Sequence, residues 1–192
     1  HNPKEFNGLK LALGKATLWG PEIQEVLSII RNDGFTTAPR PGSVGHADIK
    51  PAYLDMLAQR LKLGPRRLKI VADAGNGTAS LFIEPFLRQL GVEYTLLYAT
   101  PDGRFPNHHP DPVKRENLAD LIRTVLETGS DLGIGFDGDA DRLGVVDEKG
   151  EVIWGVILMA LYWQEILPKH PGAEAIVEVK SSQALVDEIL RL

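Results

Sequence analysis

Leu132-Gly133-Ile134-Gly135-Phe136-Asp137-Gly138-Asp139-Ala140-Asp141-Arg142-Leu143-Gly144-Val145-Val146 is the segment on which the architecture turns. Short apolar runs stand on either side of an acidic loop, and both read as buried strands. The loop therefore hangs at the end of a strand, where open α/β sheets place their ligand sites. Asp137, Asp139 and Asp141 alternate through it, and like charges this close repel unless a cation sits between them. Their ligand atoms are hard oxygens, which favours Mg²⁺ over zinc. Arg142 adds a planar fork suited to phosphate. Metal ligands and an arginine at a sheet edge point to phosphoryl chemistry.

Outward from the loop, the elements alternate. Residues 68–72 read as a strand and 77–90 as a helix, bent at Pro85. A strand over 92–98, a helix over 116–128 and the strand 132–136 follow. Leu118, Leu121, Ile122, Val125 and Leu126 form the inner stripe of the second helix. This βαβαβ order predicts a three-layer α/β/α unit with parallel strands. Residues 142–147 and 151–154 flank Glu148-Lys149-Gly150 as an antiparallel edge hairpin, which makes the sheet mixed but mostly parallel.

On the N-terminal side, residues 9–13 read as a short strand. Pro21 opens a helix to Asn32, and residues 36–46, rich in Pro, Gly and Thr, read as a linker. A helix over 51–63 stops at Gly64. Past residue 152 the pattern restarts: an apolar helix over 155–167, a strand over 175–179, and a helix over 182–190 capped by Ser182. The expected division is 1–44, 45–151 and 152–192, with partial α/β domains flanking the central one.

The chain has 192 residues, 43% hydrophobic and 24% charged, ordinary for a soluble globular protein. A net charge of −5 without a long basic run argues against nucleic acid as a partner. No apolar stretch is long enough to cross a bilayer. The absence of cysteine removes disulfides and thiolate chemistry and is compatible with a cytoplasmic setting.

The acidic loop has three competing readings. An EF-hand would use Asp137, Asp139, Asp141 and Glu148, but Arg142 stands where Gly is required, and the flanks read as strands. A phosphatase of the haloacid-dehalogenase type would use Asp137 as nucleophile, which leaves Asp141 and Arg142 without a role. A solvated acidic turn would bear the repulsion for no structural gain. A metal-binding module without catalysis needs the same three carboxylates and no nucleophile.

Two further motifs stand out. Asp73-Ala74-Gly75-Asn76-Gly77-Thr78-Ala79-Ser80 suggests a dinucleotide fingerprint, but Ser80 replaces its third Gly and no acidic residue ends the next strand. A tight turn with glycines for close packing is the favoured reading. Residues 100–112 form a long loop with His108 and His109 adjacent. Neighbours in extended chain point opposite ways, so one metal site rarely uses both, and the loop reads as a rigid connector lining a cleft.

Together these pieces resemble the α-D-phosphohexomutase superfamily, the phosphoglucomutases and phosphomannomutases. His1-Asn2-Pro3 with Asn7-Gly8 and Lys10 is similar to the family's active-site loop. Asp73-Ala74-Gly75-Asn76-Gly77 is similar to the turn opening its second domain. Phe105-Pro106-Asn107-His108-His109-Pro110-Asp111-Pro112 is similar to its long connector, and Asp137-Gly138-Asp139-Ala140-Asp141-Arg142 to its metal loop. The resemblance covers nearly the whole chain, with four motifs in order. It implies an intramolecular phosphotransferase acting on a phosphorylated hexose. Asp137, Asp139 and Asp141 would hold Mg²⁺ with a phosphoserine, Lys10 would be the general acid/base helped by His1, and Arg142 would steady the phosphoryl oxygens.

In that family the serine before His-Asn-Pro carries the phosphate, and here the sequence opens at His1. The resemblance thus implies a piece holding the tail of domain 1, all of domain 2 and the start of domain 3. The remainder of domains 1, 3 and 4 would lie elsewhere, and this piece would be inactive alone. Which hexose is used does not follow from the residues.

Overall fold

The computed structural model describes residues 5–40 and 42–192, so His1 lies outside the described residues. The chain divides into two compact units, one up to Asp48 and one from Ile49 onward.

In the first unit, β1 (Ala12–Leu13) and β2 (Ala16–Thr17) form a small antiparallel hairpin. The strand expected over 9–13 is thereby cut to its last two residues, which pair with Thr17 and Ala16. Lys10 lies just before it, exposed. Helix α1 (Pro21–Arg31) starts at Pro21, whose missing N–H is lost at no cost in the first turn. The linker expected after it carries no helix or strand over 36–40 and 42–49.

The second unit opens with α2 (Lys50–Arg60). This helix ends before Gly64, because Leu61 already has extended backbone at φ −101° and ψ 130°. Then come β3 (Lys69–Asp73), a 3-10 turn (Thr78–Leu81), α3 (Ile83–Leu90) and β4 (Glu93–Leu97). Pro85 does not bend a long helix. It sits in the first turn of a helix that begins at Ile83, where no i−4 carbonyl awaits its missing N–H. After the connector and a 3-10 turn (Arg115–Leu118) come α4 (Ala119–Thr128), β5 (Leu132–Phe136), β6 (Leu143–Asp147) and β7 (Val152–Ile153).

The five strands lie in the order β4-β3-β5-β6-β7. β3 pairs parallel with β4 and β5, while β5–β6 and β6–β7 are antiparallel. The sheet is the expected mixed one, and the edge hairpin forms about residues 148–150. Side chains alternate across it. Ile70 and Ala72 of β3 join Ile83 and Leu87 of α3 on one face, and Val71 joins Leu118, Leu121, Val125 and Val146 on the other. Three layers result: α3, the sheet, and α4. A Cβ on Gly133 would lie 2.8 Å from Val125 Cγ2, so α4 rests directly on β5. Leu126 departs from the predicted inner stripe and is largely exposed at the rim.

The chain closes with α5 (Gly155–Ile166) and α6 (Gln183–Arg191), which pack on each other. Ser182 caps α6 as expected, its Oγ accepting from Ala184 N at 3.3 Å. The strand expected over 175–179 does not form. Ile176 and Val179 are each 96% exposed, and a strand without a neighbour leaves its backbone groups to water. No helix among the described residues is long and apolar enough to cross a membrane.

Candidate metal centre

The acidic loop is the hairpin connection between β5 and β6, and Asp137 builds it. Asp137 N donates to Arg142 O at 3.2 Å, and Ala140 N donates to Asp137 O at 3.2 Å. The Asp137 carboxylate accepts from Arg142 N at 3.1 Å through Oδ1 and from Arg142 Nε at 2.8 Å through Oδ2. These bonds close the loop at its neck and bury the Asp137 carboxylate completely. Ala140, at φ +62°, makes the tight turn between.

The closure brings Asp137, Asp139 and Asp141 together, each offering a carboxylate oxygen within 4.8 Å of the others. Asp137 is buried, whereas Asp139 and Asp141 face outward. Desolvation, and next the Asp139 carboxylate, push the Asp141 carboxyl above its ordinary range. The group thus favours extra positive charge, and its all-oxygen donor set fits a hard divalent cation. Arg142 is brought to the same place, 3.7 Å from Asp141 through Nε. Lys10, the fifth described site residue, belongs to the first unit.

The glycine turn after β3 supports this loop from beneath. Its role is close packing, as the favoured reading of that motif had it. Thr78 N donates to Gly138 O at 3.0 Å. A Cβ on Gly77 would stand 2.7 Å from Gly138 O and 3.2 Å from Asp137 O, so backbone meets backbone with no room for a side chain. Gly77→Ala is expected to lower stability by about 1–3 kcal/mol, the usual cost of overpacking. It should also weaken metal binding, since the loop must move to relieve the clash. Thermal melts and a Mn²⁺ titration check this; unchanged values in both would show that the loop yields freely.

The connector completes the support. Asn107 Nδ2 donates to Asn76 Oδ1 at 2.8 Å, and Asn76 Nδ2 to Thr100 O at 2.8 Å. His108 is not a metal ligand. Its Nε2 lies 3.0 Å from Asp73 Oδ2 and its Nδ1 3.0 Å from His109 O, while His109 is exposed. Both ring nitrogens therefore face acceptors. Asn76 and Tyr98 hold left-handed backbone at φ +57° and +51°, joined by Asn76 N donating to Tyr98 O. Such strain collects where the surrounding structure imposes it, often at functional sites. The Tyr98 hydroxyl donates to Asp120, which raises its pKa to about 12.

His108 is expected to give the fold a pH dependence. The hydrogen bond to Asp73 raises its pKa above the ordinary 6.5, against the opposing effect of burial. A raised folded value means that the pair's contribution is complete below about pH 6.5 and is lost as pH rises through the raised value. Melting temperature should thus fall between pH 6 and pH 8.5 by more in the wild type than in His108→Gln. Equal falls would assign the dependence elsewhere.

A cleft of about 470 Å³ opens beside the loop, lined by Tyr53, Phe82, Phe86, Phe136, Asp139 and Ala140 among others. Its walls are mainly aromatic and aliphatic, so the charged chemistry is confined to the Asp139 rim. The supporting contacts of Asp73, Asn76, His108 and Asp111 could not be found from sequence. They join residues about 30 positions apart, and no local spacing marks them.

A family model described as phosphoglucomutase/phosphomannomutase, alpha/beta/alpha domain II, matches residues 51–150. The phosphoglucomutase of Neisseria gonorrhoeae is 46% identical over 185 residues, which cover 96% of this chain and 40% of that protein. The phosphomannomutase/phosphoglucomutase of Pseudomonas putida is 41% identical, covering 96% of this chain and 39% of its own. A crystal structure of a phosphoglucomutase/phosphomannomutase family protein from Burkholderia thailandensis matches all of this chain and 41% of its own, with TM-score 0.87 and 38% identity. The chain spans about two fifths of the length of these relatives.

Proposed function

We propose that this chain, which belongs to the phosphoglucomutase/phosphomannomutase family, is the metal-holding part of a phosphohexomutase. The enzyme moves phosphate between C1 and C6 of a hexose by way of a phosphoserine. The observation that carries this is the convergence of Asp137, Asp139 and Asp141 within 4.8 Å, beside Arg142, on the hairpin loop between β5 and β6. In this reading residues 1–44 are the tail of a first domain, 45–151 the second, and 152–192 the start of a third.

Asp137, Asp139 and Asp141 would hold Mg²⁺. The ion, when bound, offsets the negative charge of a phosphoryl group in transfer. Arg142 steadies the phosphoryl oxygens through its guanidinium fork. Transfer breaks the bond between phosphorus and the serine oxygen and forms one to a sugar hydroxyl oxygen. Lys10 takes the hydroxyl proton as general base, and His1 assists. In the return half-reaction Lys10 gives a proton back. Positioning dominates such chemistry, so the 192-residue chain, two fifths the length of its relatives, is expected to show no turnover alone.

The deciding experiment incubates the longer protein with labelled glucose 1,6-bisphosphate and maps the label. Label on a serine, with conversion of glucose 1-phosphate, supports the mutase. Label on Asp137 would make the protein a phosphatase-type enzyme, and no label with intact metal binding would leave a metal-binding module.

A further inference from the structure

We propose that Asp111 is a positioning residue that fixes the plane of the Arg142 guanidinium for the phosphoryl group, an inference that rests on the role given to Arg142 above. Arg142 is 44% exposed on the β5–β6 loop, and a side chain of that length loses much rotamer freedom when held. The planar group is held at two of its nitrogens, Nε by Asp137 Oδ2 at 2.8 Å and Nη1 by Asp111 Oδ1 at 3.2 Å, and the pair opposes its turning about either contact. Two anchors 26 residues apart in sequence thus define one plane.

Asp111 is itself held by its backbone. Its carbonyl accepts from Asn117 Nδ2 at 2.9 Å and from Lys114 N at 3.3 Å, and its N donates to His109 O at 2.8 Å. Pro110 and Pro112 on either side are buried, each with φ set by its ring. Pro110 sits against Gly75, where a Cβ would come within 3.1 Å of it. Pro112 sits against Gly144, where a Cβ would come within 3.0 Å. Gly144 lies in β6, two residues after Arg142. The connector is therefore stapled both to the turn under the acidic loop and to the strand leaving it. The Asp111 carboxylate, only 16% exposed, stands at a fixed place relative to the Arg142 backbone. The Asp111 side chain meets Arg142 and its structural bonds run through the main chain, so the side chain can be changed without unpicking the connector.

Kinetics of the longer enzyme with glucose 1-phosphate test this. Asp111→Ala should lower kcat/KM by about 100-fold, the loss expected of a displacement near 1 Å. Asp111→Asn, which keeps an acceptor oxygen, should lose less. Melting temperature and the Mg²⁺ concentration for half-maximal rate should not move. In an Arg142→Ala background the Asp111→Ala effect should vanish, since residues that act through one another are not additive. Hydrogen exchange of the Arg142 Nε–H, followed by NMR in both wild type and Asp111→Ala, should quicken in the variant. Asp111→Ala at wild-type rate beside a crippled Arg142→Ala would overturn the inference and leave the role of Arg142 standing. Arg142→Ala at wild-type rate would overturn that role and this inference with it. An Asp111→Ala loss that persists without Arg142, or that tracks a lower melting temperature, would make Asp111 merely structural.

Discussion

Lys10→Ala in the longer enzyme is expected to slow phosphoryl transfer by about 10²–10⁴-fold, the usual contribution of a positioned proton carrier. The loss should be the same at every Mg²⁺ concentration. Lys10 is not one of the three clustered carboxylates, so removing its amine leaves that set of oxygen donors unchanged. It would remove only the group proposed to exchange the hydroxyl proton. The opposing account makes Lys10 an ordinary solvated cation, which agrees with its exposure in the described chain. Under that account the variant would turn over at the wild-type rate and Lys10 would leave the mechanism. Steady-state rates across a Mg²⁺ series, in both reaction directions, decide between the two.

Asp139→Asn should behave in the opposite way. The substitution keeps the side chain's shape and removes one negative charge from a trio whose oxygens lie within 4.8 Å. Loss of groups behind a metal ligand already costs about 10–100-fold in affinity, so loss of a ligand's charge should cost at least about 10-fold. Transfer should slow in both directions and recover in part as Mg²⁺ is raised. Asp139 is exposed, and its replacement should leave the melting temperature of the metal-free protein nearly unchanged. Asp137 would not give so clean a test. It is buried and closes the loop through Arg142, so its replacement mixes a metal effect with a folding one. A melting loss in Asp139→Asn without a rate effect would recast Asp139 as a turn former.

The two variants differ because the loop and the lysine answer to different physics. Carboxylates crowded at one end of a sheet carry an electrostatic cost that a cation relieves, and excess cation can make good a weakened site. A missing proton carrier has no such substitute in solution. Their contrasting response to Mg²⁺ is therefore a sharper test than either loss of rate alone.

By itself the sequence determined what depends on near neighbours. The β-α-β alternation follows from side-chain periods of about two and 3.6 residues, and the parallel β3, β4 and β5 formed where those periods placed them. Pro21 and Ser182 marked helix starts because a missing N–H and a short side-chain oxygen act within one turn. The acidic loop was legible because its three carboxylates lie within five residues. The tertiary structure alone decided what depends on a partner. Residues 175–179 have the composition of a strand but take no strand conformation, and Ile176 and Val179 stay exposed. Helix α2 ends at Arg60 instead of reaching Gly64, and Pro85 sits in the first turn of a helix instead of bending one. His108, which as one of two adjacent histidines invited a metal, found Asp73 across 35 residues of chain. Asp111 found Arg142 across 31. Such pairings are fixed by strand register and by buried prolines against glycines, and neither leaves a mark in local spacing.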